Sequence, residues 1–133
     1  VTLKYRGTYG LYPWFPDDDE TLIHANDLQK VKAFSINGLY GYVFYCSDEN
    51  ADFIELSYGD FTFKVKPDLY STIPSIQFHL GEHVAVIGVS EKKGVIVSIK
   101  WHSKYSKPMY FLSFNGRKSS RRYFDTELVE YYD

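Results

Sequence analysis

The chain has 133 residues, of which 44% are hydrophobic and 24% charged, with a formal net charge of −2. That length suits one ordinary domain or two very small ones, and the composition excludes a disordered polymer. The single cysteine, Cys46, excludes an internal disulfide, and no apolar run approaches the ~20 residues of a membrane-spanning helix.

Residues 1–6 lack an apolar signal core, so the expectation is a cytoplasmic protein. Aromatic content is 19%, with 13 Tyr and 10 Phe, and rings favour strands over helices. The expected fold class is mainly β with one short helix, arranged as two small antiparallel β modules over residues 1–72 and 73–133.

Taken in order, Pro13-Trp14-Phe15-Pro16 and the acidic run Asp17-Asp18-Asp19-Glu20 predict an irregular loop. A short helix follows, with Asn26 as N-cap, Asp27 in the first turn and Leu28, Val31 and Phe34 on one face. Asn37-Gly38 ends it. Strands are predicted over residues 40–46, 53–58 and 61–66, with Asp48-Glu49-Asn50 as one turn and Gly59-Asp60 as a tight hairpin. Cys46 reads as a small buried residue in the first of these strands, since no motif supports a reactive thiol. Pro67 and Pro74 bracket a linker.

In the second half, strands are predicted over residues 83–89 and 95–101, with a turn at residues 91–94 between them. Along residues 95–101, Val95, Val97, Ile99 and Trp101 alternate with Ile96, Ser98 and Lys100. A polar loop covers residues 103–107. Two more strands, residues 109–114 and 117–124, flank Asn115-Gly116, the residue pair of a type I′ turn. Residues 125–132 predict one helical turn and a last strand.

Gly81-Glu-His-Val-Ala-Val86, Gly94-Val-Ile-Val-Ser-Ile99, Tyr110-Phe-Leu-Ser-Phe114 and Tyr123-Phe124 with Glu127-Leu-Val129 resemble an SH3-like or Tudor-like small barrel. The resemblance covers about residues 78–132 and implies that the second module is such a barrel. The whole chain is also similar to an uncharacterised family of small bacterial proteins. That likeness is carried by Tyr12-Pro-Trp-Phe-Pro16, residues 24–28, Trp101-His102-Ser-Lys104 and the run from Asn115 to Tyr123. It implies no activity.

Charge is unevenly distributed. Residues 1–70 hold 6 Lys/Arg against 11 Asp/Glu, whereas residues 92–122 hold nine basic residues and no carboxylate. These nine are Lys92, Lys93, Lys100, Lys104, Lys107, Arg117, Lys118, Arg121 and Arg122, interleaved with Trp101, Tyr105, Tyr110, Phe111 and Phe114. Cations matched to phosphates beside rings that stack bases are what a single-stranded nucleic-acid groove requires. The same pattern also fits a barrel whose rings fill the core and whose cations are solvated. On the first reading the chain is a non-catalytic interaction module for an acidic ligand, nucleic acid or an acidic protein. Its candidate residues are Lys100, Trp101, His102, Lys104, Tyr105, Arg117, Lys118, Arg121 and Arg122. Lys118 and Arg122 share one strand parity and Arg117 and Arg121 the other, so alternation divides the four between two faces unless a bulge intervenes.

A different class is a shape-complementary or immunity-type protein that contacts its partner through Trp14, Phe15, Asp17, Asp18 and Asp19. The rival role for Trp14 and Phe15 is a plug that docks the N-terminal segment on the barrel. No metal site is expected, since the acidic run lacks the spacing of a Ca²⁺ loop and Gly81 separates His79 from His83. No cofactor motif, catalytic triad or phosphate-cradling loop is present. An enzyme would need His102, Tyr105 and a carboxylate in one pocket. The expectation is therefore no enzyme, no cofactor and no membrane.

Overall fold

The computed structural model describes residues 4–89 and 92–131. The chain is mainly β and divides into two units, Val1–Ser75 and Ile76–Asp133, each with its own antiparallel sheet of five strands.

The first unit contains β1 (Tyr9–Leu11), α1 (Leu28–Phe34), β2 (Phe44–Glu49), β3 (Ile54–Tyr58), β4 (Phe61–Val65) and β5 (Ser71–Ile73). Its strand order is β4-β3-β2-β1-β5. Period-two alternation builds the β3–β4 hairpin as expected. Ile54, Leu56, Phe63 and Val65 are buried, and Tyr58 pairs with Phe61 across Gly59-Asp60. α1 turns Val31 into this core, and Leu28 and Phe34 pack against it.

Several boundaries differ from expectation. The helix is capped at Asp27, one residue later than Asn26. The Asp27 carboxylate accepts from the Lys64 amide at 2.7 Å and lies 3.3 Å from Lys30 Nζ, so it fastens the helix start to β4. Ser35 is the C-cap, and Gly38, at φ +64°, belongs to the turn beyond it. β2 begins at Phe44, because Gly41 takes φ +85° and breaks the extended run expected from Tyr40. β2 then runs through a bulge between Cys46 and Asp48 to Glu49, where a turn was expected. The proline-bracketed linker contains a 3-10 turn and β5, which pairs with the equally unforeseen β1.

Trp14 and Tyr12 are fully buried in this core. The Trp14 indole donates to Asp19 O at 3.0 Å, Leu39 N donates to Trp14 O at 2.8 Å, and Tyr12 Oη donates to Lys66 O at 2.6 Å. Trp14 is thus part of the first unit's own core, and burying so large a ring is worth ~3–5 kcal/mol against alanine. Cys46 is buried and donates to Asp48 O at 3.3 Å; burial pushes its thiol up to about 11. At the start of the unit, the Glu49 carboxylate accepts from the backbone amides of Lys4, Tyr5 and Arg6 at 2.9, 2.7 and 3.2 Å.

The second unit contains β6 (His83–Val86), β7 (Lys93–His102), β8 (Lys107–Phe114), β9 (Arg117–Tyr123) and β10 (Leu128–Glu130), in the order β10-β6-β7-β8-β9. Asn115 and Gly116, at φ +51° and +79°, both occupy the left-handed region that a type I′ turn needs. A 3-10 turn at Asp125–Glu127 precedes the last strand. The ladder is open, with β10 and β9 as its edges, so it does not close into a barrel and the SH3-like likeness stays a resemblance. Part of the expected turn at residues 91–94 and the end of the last expected segment lie outside the described residues. Lys93 and Gly94 are already strand.

The alternation expected along β7 is corrected by a bulge between Ile96 and Ser98. One extra residue, Val97, is turned outward, and Ile96 and Ile99 are both buried as a result. Pro108 joins β8 opposite Trp101.

Candidate functional site

In an antiparallel ladder, directly opposed residues share a face and the next residue along points the other way. Beyond the β7 bulge the pairs Ser98–Phe111, Lys100–Met109 and His102–Lys107 therefore lie on one face. Across β8, Arg122 opposes Phe111 and Lys118 opposes Ser113. Between those two pairs, Leu112 stands opposite the run Ser119-Ser120-Arg121, a wide irregularity in β9. The mismatch preserves the parity of Lys118 and Arg122 and widens the ladder beside Phe111.

There the face holds an open depression of about 320 Å³, lined by Ser98, Lys100, Phe111, Lys118, Ser119 and Ser120. Lys100 and Lys118 approach Phe111 diagonally from the two flanking strands. Lys100 Nζ is 6.0 Å from the ring centroid. Toward the far end of β7, His102 stacks on Tyr105 at 4.3 Å with the planes 6° apart, and Phe124 meets both rings edge-on. Lys107 and Arg122 lie over Phe124 at 4.6 and 5.5 Å, and Lys104 lies 5.9 Å from the Tyr105 ring. Arg122 also reaches Met109 Sδ at 3.9 Å. Among the described residues, no carboxylate is within ion-pair distance of Lys104, Lys107, Lys118 or Arg122.

Of the nine candidate residues, Lys100, His102, Lys118 and Arg122 share this face, and Lys104 and Tyr105 close one end of it. Trp101, Arg117 and Arg121 do not join them. Trp101 opposes Pro108 and Arg117 opposes Phe114 on the other face. Arg121 lies 4.8 Å over the Tyr123 ring and 3.3 Å from Glu127. That face holds the core. Tyr110, Leu112 and Tyr123 are buried, and Tyr110 Oη accepts from Phe78 N at 3.4 Å.

Phe111, Lys107, Phe124 and the three serines belong to the site although none was among the nine. Register against Lys100 and Arg122 identifies Phe111. The serines depend on the two irregularities, which no local sequence signal marks.

His102 and Tyr105 do come together, but through ring stacking and a bond from Tyr105 N to His102 Nδ1 at 3.1 Å. No carboxylate hydrogen-bonds to His102 among the described residues. No cluster of three His, Cys, Asp or Glu able to hold a metal ion occurs among them either.

The alternative contact in the first unit is altered by burial. Trp14 is 0% exposed and cannot meet a partner. Phe15 is exposed and stacks on Tyr40 at 5.5 Å. Asp18 accepts from Phe15 N at 2.8 Å, and Asp19 accepts from Thr21 N at 2.9 Å and from the Thr21 hydroxyl, which lowers its carboxyl. Two of the three aspartates are thus engaged in shaping their own loop, and Asp17 is exposed beside them.

No helix is long and apolar enough to cross a membrane among the described residues. No curated protein and no solved structure matches the chain significantly. One family profile spans residues 2–129, nearly the whole chain, in keeping with the resemblance to an uncharacterised family: the chain belongs to DUF6960, a family of unknown function.

Proposed function

We propose that the chain is a non-catalytic interaction module that binds a polyanion through the outer face of β7, β8 and β9. The observation that carries this reading is the gathering of Lys100, Lys118 and Arg122 about Phe111, with Lys107 farther along the same face over Phe124, within a 31-residue stretch free of carboxylates. A protein of net charge −2 gains nothing from its overall charge toward a polyanion. A local cationic face supplies the attraction, and release of condensed counterions makes it sensitive to salt.

Retention on a heparin column tests the reading. The wild-type chain is retained at low salt and elutes on a gradient. Lys118→Glu/Arg122→Glu elutes much earlier, whereas Arg117→Glu/Arg121→Glu, with the same net charge, elutes near wild type. Passage of the wild type through the column unretained, or an equal loss in both double variants, overturns it.

A further inference from the structure

We infer that the polyanion is single-stranded nucleic acid, with one unpaired base stacked on Phe111 and its phosphates on Lys100, Lys118 and Arg122. This deepens the proposed polyanion reading and rests on it. Phe111 is half-buried at the centre of the face, and the cations surround it from both neighbouring strands. The depression, at about 320 Å³, falls at the lower end of the range for small-ligand sites, roughly 300–1,000 Å³. It suits one nucleoside.

Three features favour this ligand over other anions. Acidic side chains have no flat surface to lay on Phe111, whereas nucleic acid brings a π-face with every phosphate. A duplex keeps those faces within its own stack, so only an unpaired base can use the platform. Ser119 and Ser120 line the same depression, and hydroxyls can donate to or accept from a base edge or a sugar.

A second ring platform extends the site. His102 lies four residues beyond Ser98 along β7, about 13 Å at strand rise. Tyr105, stacked on His102, is 52% exposed. Arg122, Lys107 and Lys104 follow the face between Phe111 and Tyr105. Two platforms so spaced, with cations between them, fit a strand of several nucleotides better than a mononucleotide.

Fluorescence anisotropy with labelled oligo(dT), an abasic oligodeoxynucleotide of equal length, and a duplex tests this. The wild-type chain binds oligo(dT) about 5- to 100-fold more tightly than the abasic strand, the span expected for one stacked base. The log–log salt slope is about −2 to −3, as three or four phosphate contacts on a single strand require. Phe111→Leu loses at least about 5-fold of the preference for oligo(dT) while keeping its affinity for the abasic strand, and Phe111→Trp retains the preference. Thermal melts confirm that each variant is folded, and the comparison of the two strands needs no variant at all.

Equal binding of abasic and thymidine strands overturns the inference but leaves the polyanion reading intact. So does displacement of oligo(dT) by poly-glutamate at matched charge, which identifies an acidic protein as the better fit. Failure to bind any strand together with failure on heparin sinks both.

Discussion

Replacing Gly38 with alanine tests the account of the first unit's core. Gly38 has φ +64°, a conformation that costs an L-residue about 1–2 kcal/mol. A Cβ placed there meets the carbonyl oxygen of Trp14, and also Phe15 Cα at 3.0 Å and Pro16 Cδ at 3.1 Å. These are mostly backbone atoms, so no rotamer change relieves the overlap. The next residue, Leu39, donates its amide to that same Trp14 carbonyl, and displacing it forfeits a buried bond worth about 0.5–1.5 kcal/mol. Conformation and bond together predict a loss of about 1.5–3.5 kcal/mol, to which the displaced backbone adds. Gly41, at φ +85°, has nothing within 4 Å of its added Cβ, so Gly41→Ala incurs only the conformational cost. For a unit of this size each kcal/mol shifts the midpoint by roughly 4–8 °C, so the lost bond alone should make Gly38→Ala melt at least about 2 °C below Gly41→Ala. The chain has two tryptophans, Trp14 and Trp101, so a Trp101→Phe background makes fluorescence report the first unit alone. Equal melting of the two alanine variants would refute the claim that the Trp14 carbonyl makes Gly38 obligatory.

Further outcomes follow from named contacts. Glu49 holds three backbone amides, and those bonds keep its carboxyl below the ordinary range. The stabilisation is therefore full above the unfolded carboxylate pKa and is lost as pH falls through the lower folded value. Hydrogen exchange should show the amides of Tyr5 and Arg6 losing protection in acid in the wild type, and already unprotected at neutral pH in Glu49→Ala. Burial raises the phenols of Tyr12 and Tyr70, the latter to about 12. Their folding contribution is present below the unfolded phenol value near 10 and is lost as pH rises through the folded values. Burial also raises Tyr9 and Tyr110, so an absorbance titration should show at least two tyrosines fewer ionising near pH 10 in the folded chain than in denaturant. Arg121→Ala should cost under about 1 kcal/mol in a urea melt, since its pairing with Glu127 is exposed. It should also leave heparin elution unchanged, whereas Lys118→Ala should elute earlier.

Legibility in the sequence followed the range of the interactions involved. The β3–β4 hairpin and the Asn115-Gly116 turn were readable, because alternation and left-handed turn residues act over a few positions. β1 and β5 were not, because each is three residues long and depends on distant partners, β1 on β2 and β5, and β5 on β1 about 60 positions away. The parity rule separated Lys118 and Arg122 from Arg117 and Arg121 correctly, although β9 carries an irregularity between them, because that irregularity leaves the alternation of charges intact. Alternation along residues 98–101 already set Trp101 with Ile99 on the face opposite Lys100, whereas the β7 bulge, which no residue pattern marks, moves Val95 onto the face of Ser98 and Lys100.

β9 is an edge of its ladder, and six of its seven residues are at least partly exposed. Such an edge offers unpaired amides and carbonyls to any second copy that approaches. Here, antiparallel pairing of two β9 edges would bring Arg117, Lys118, Arg121 and Arg122 against the same four cations. The repulsion opposes two molecules zipping together, so Lys118 and Arg122, which we propose meet a polyanion, act with Arg117 and Arg121 against aggregation through this edge.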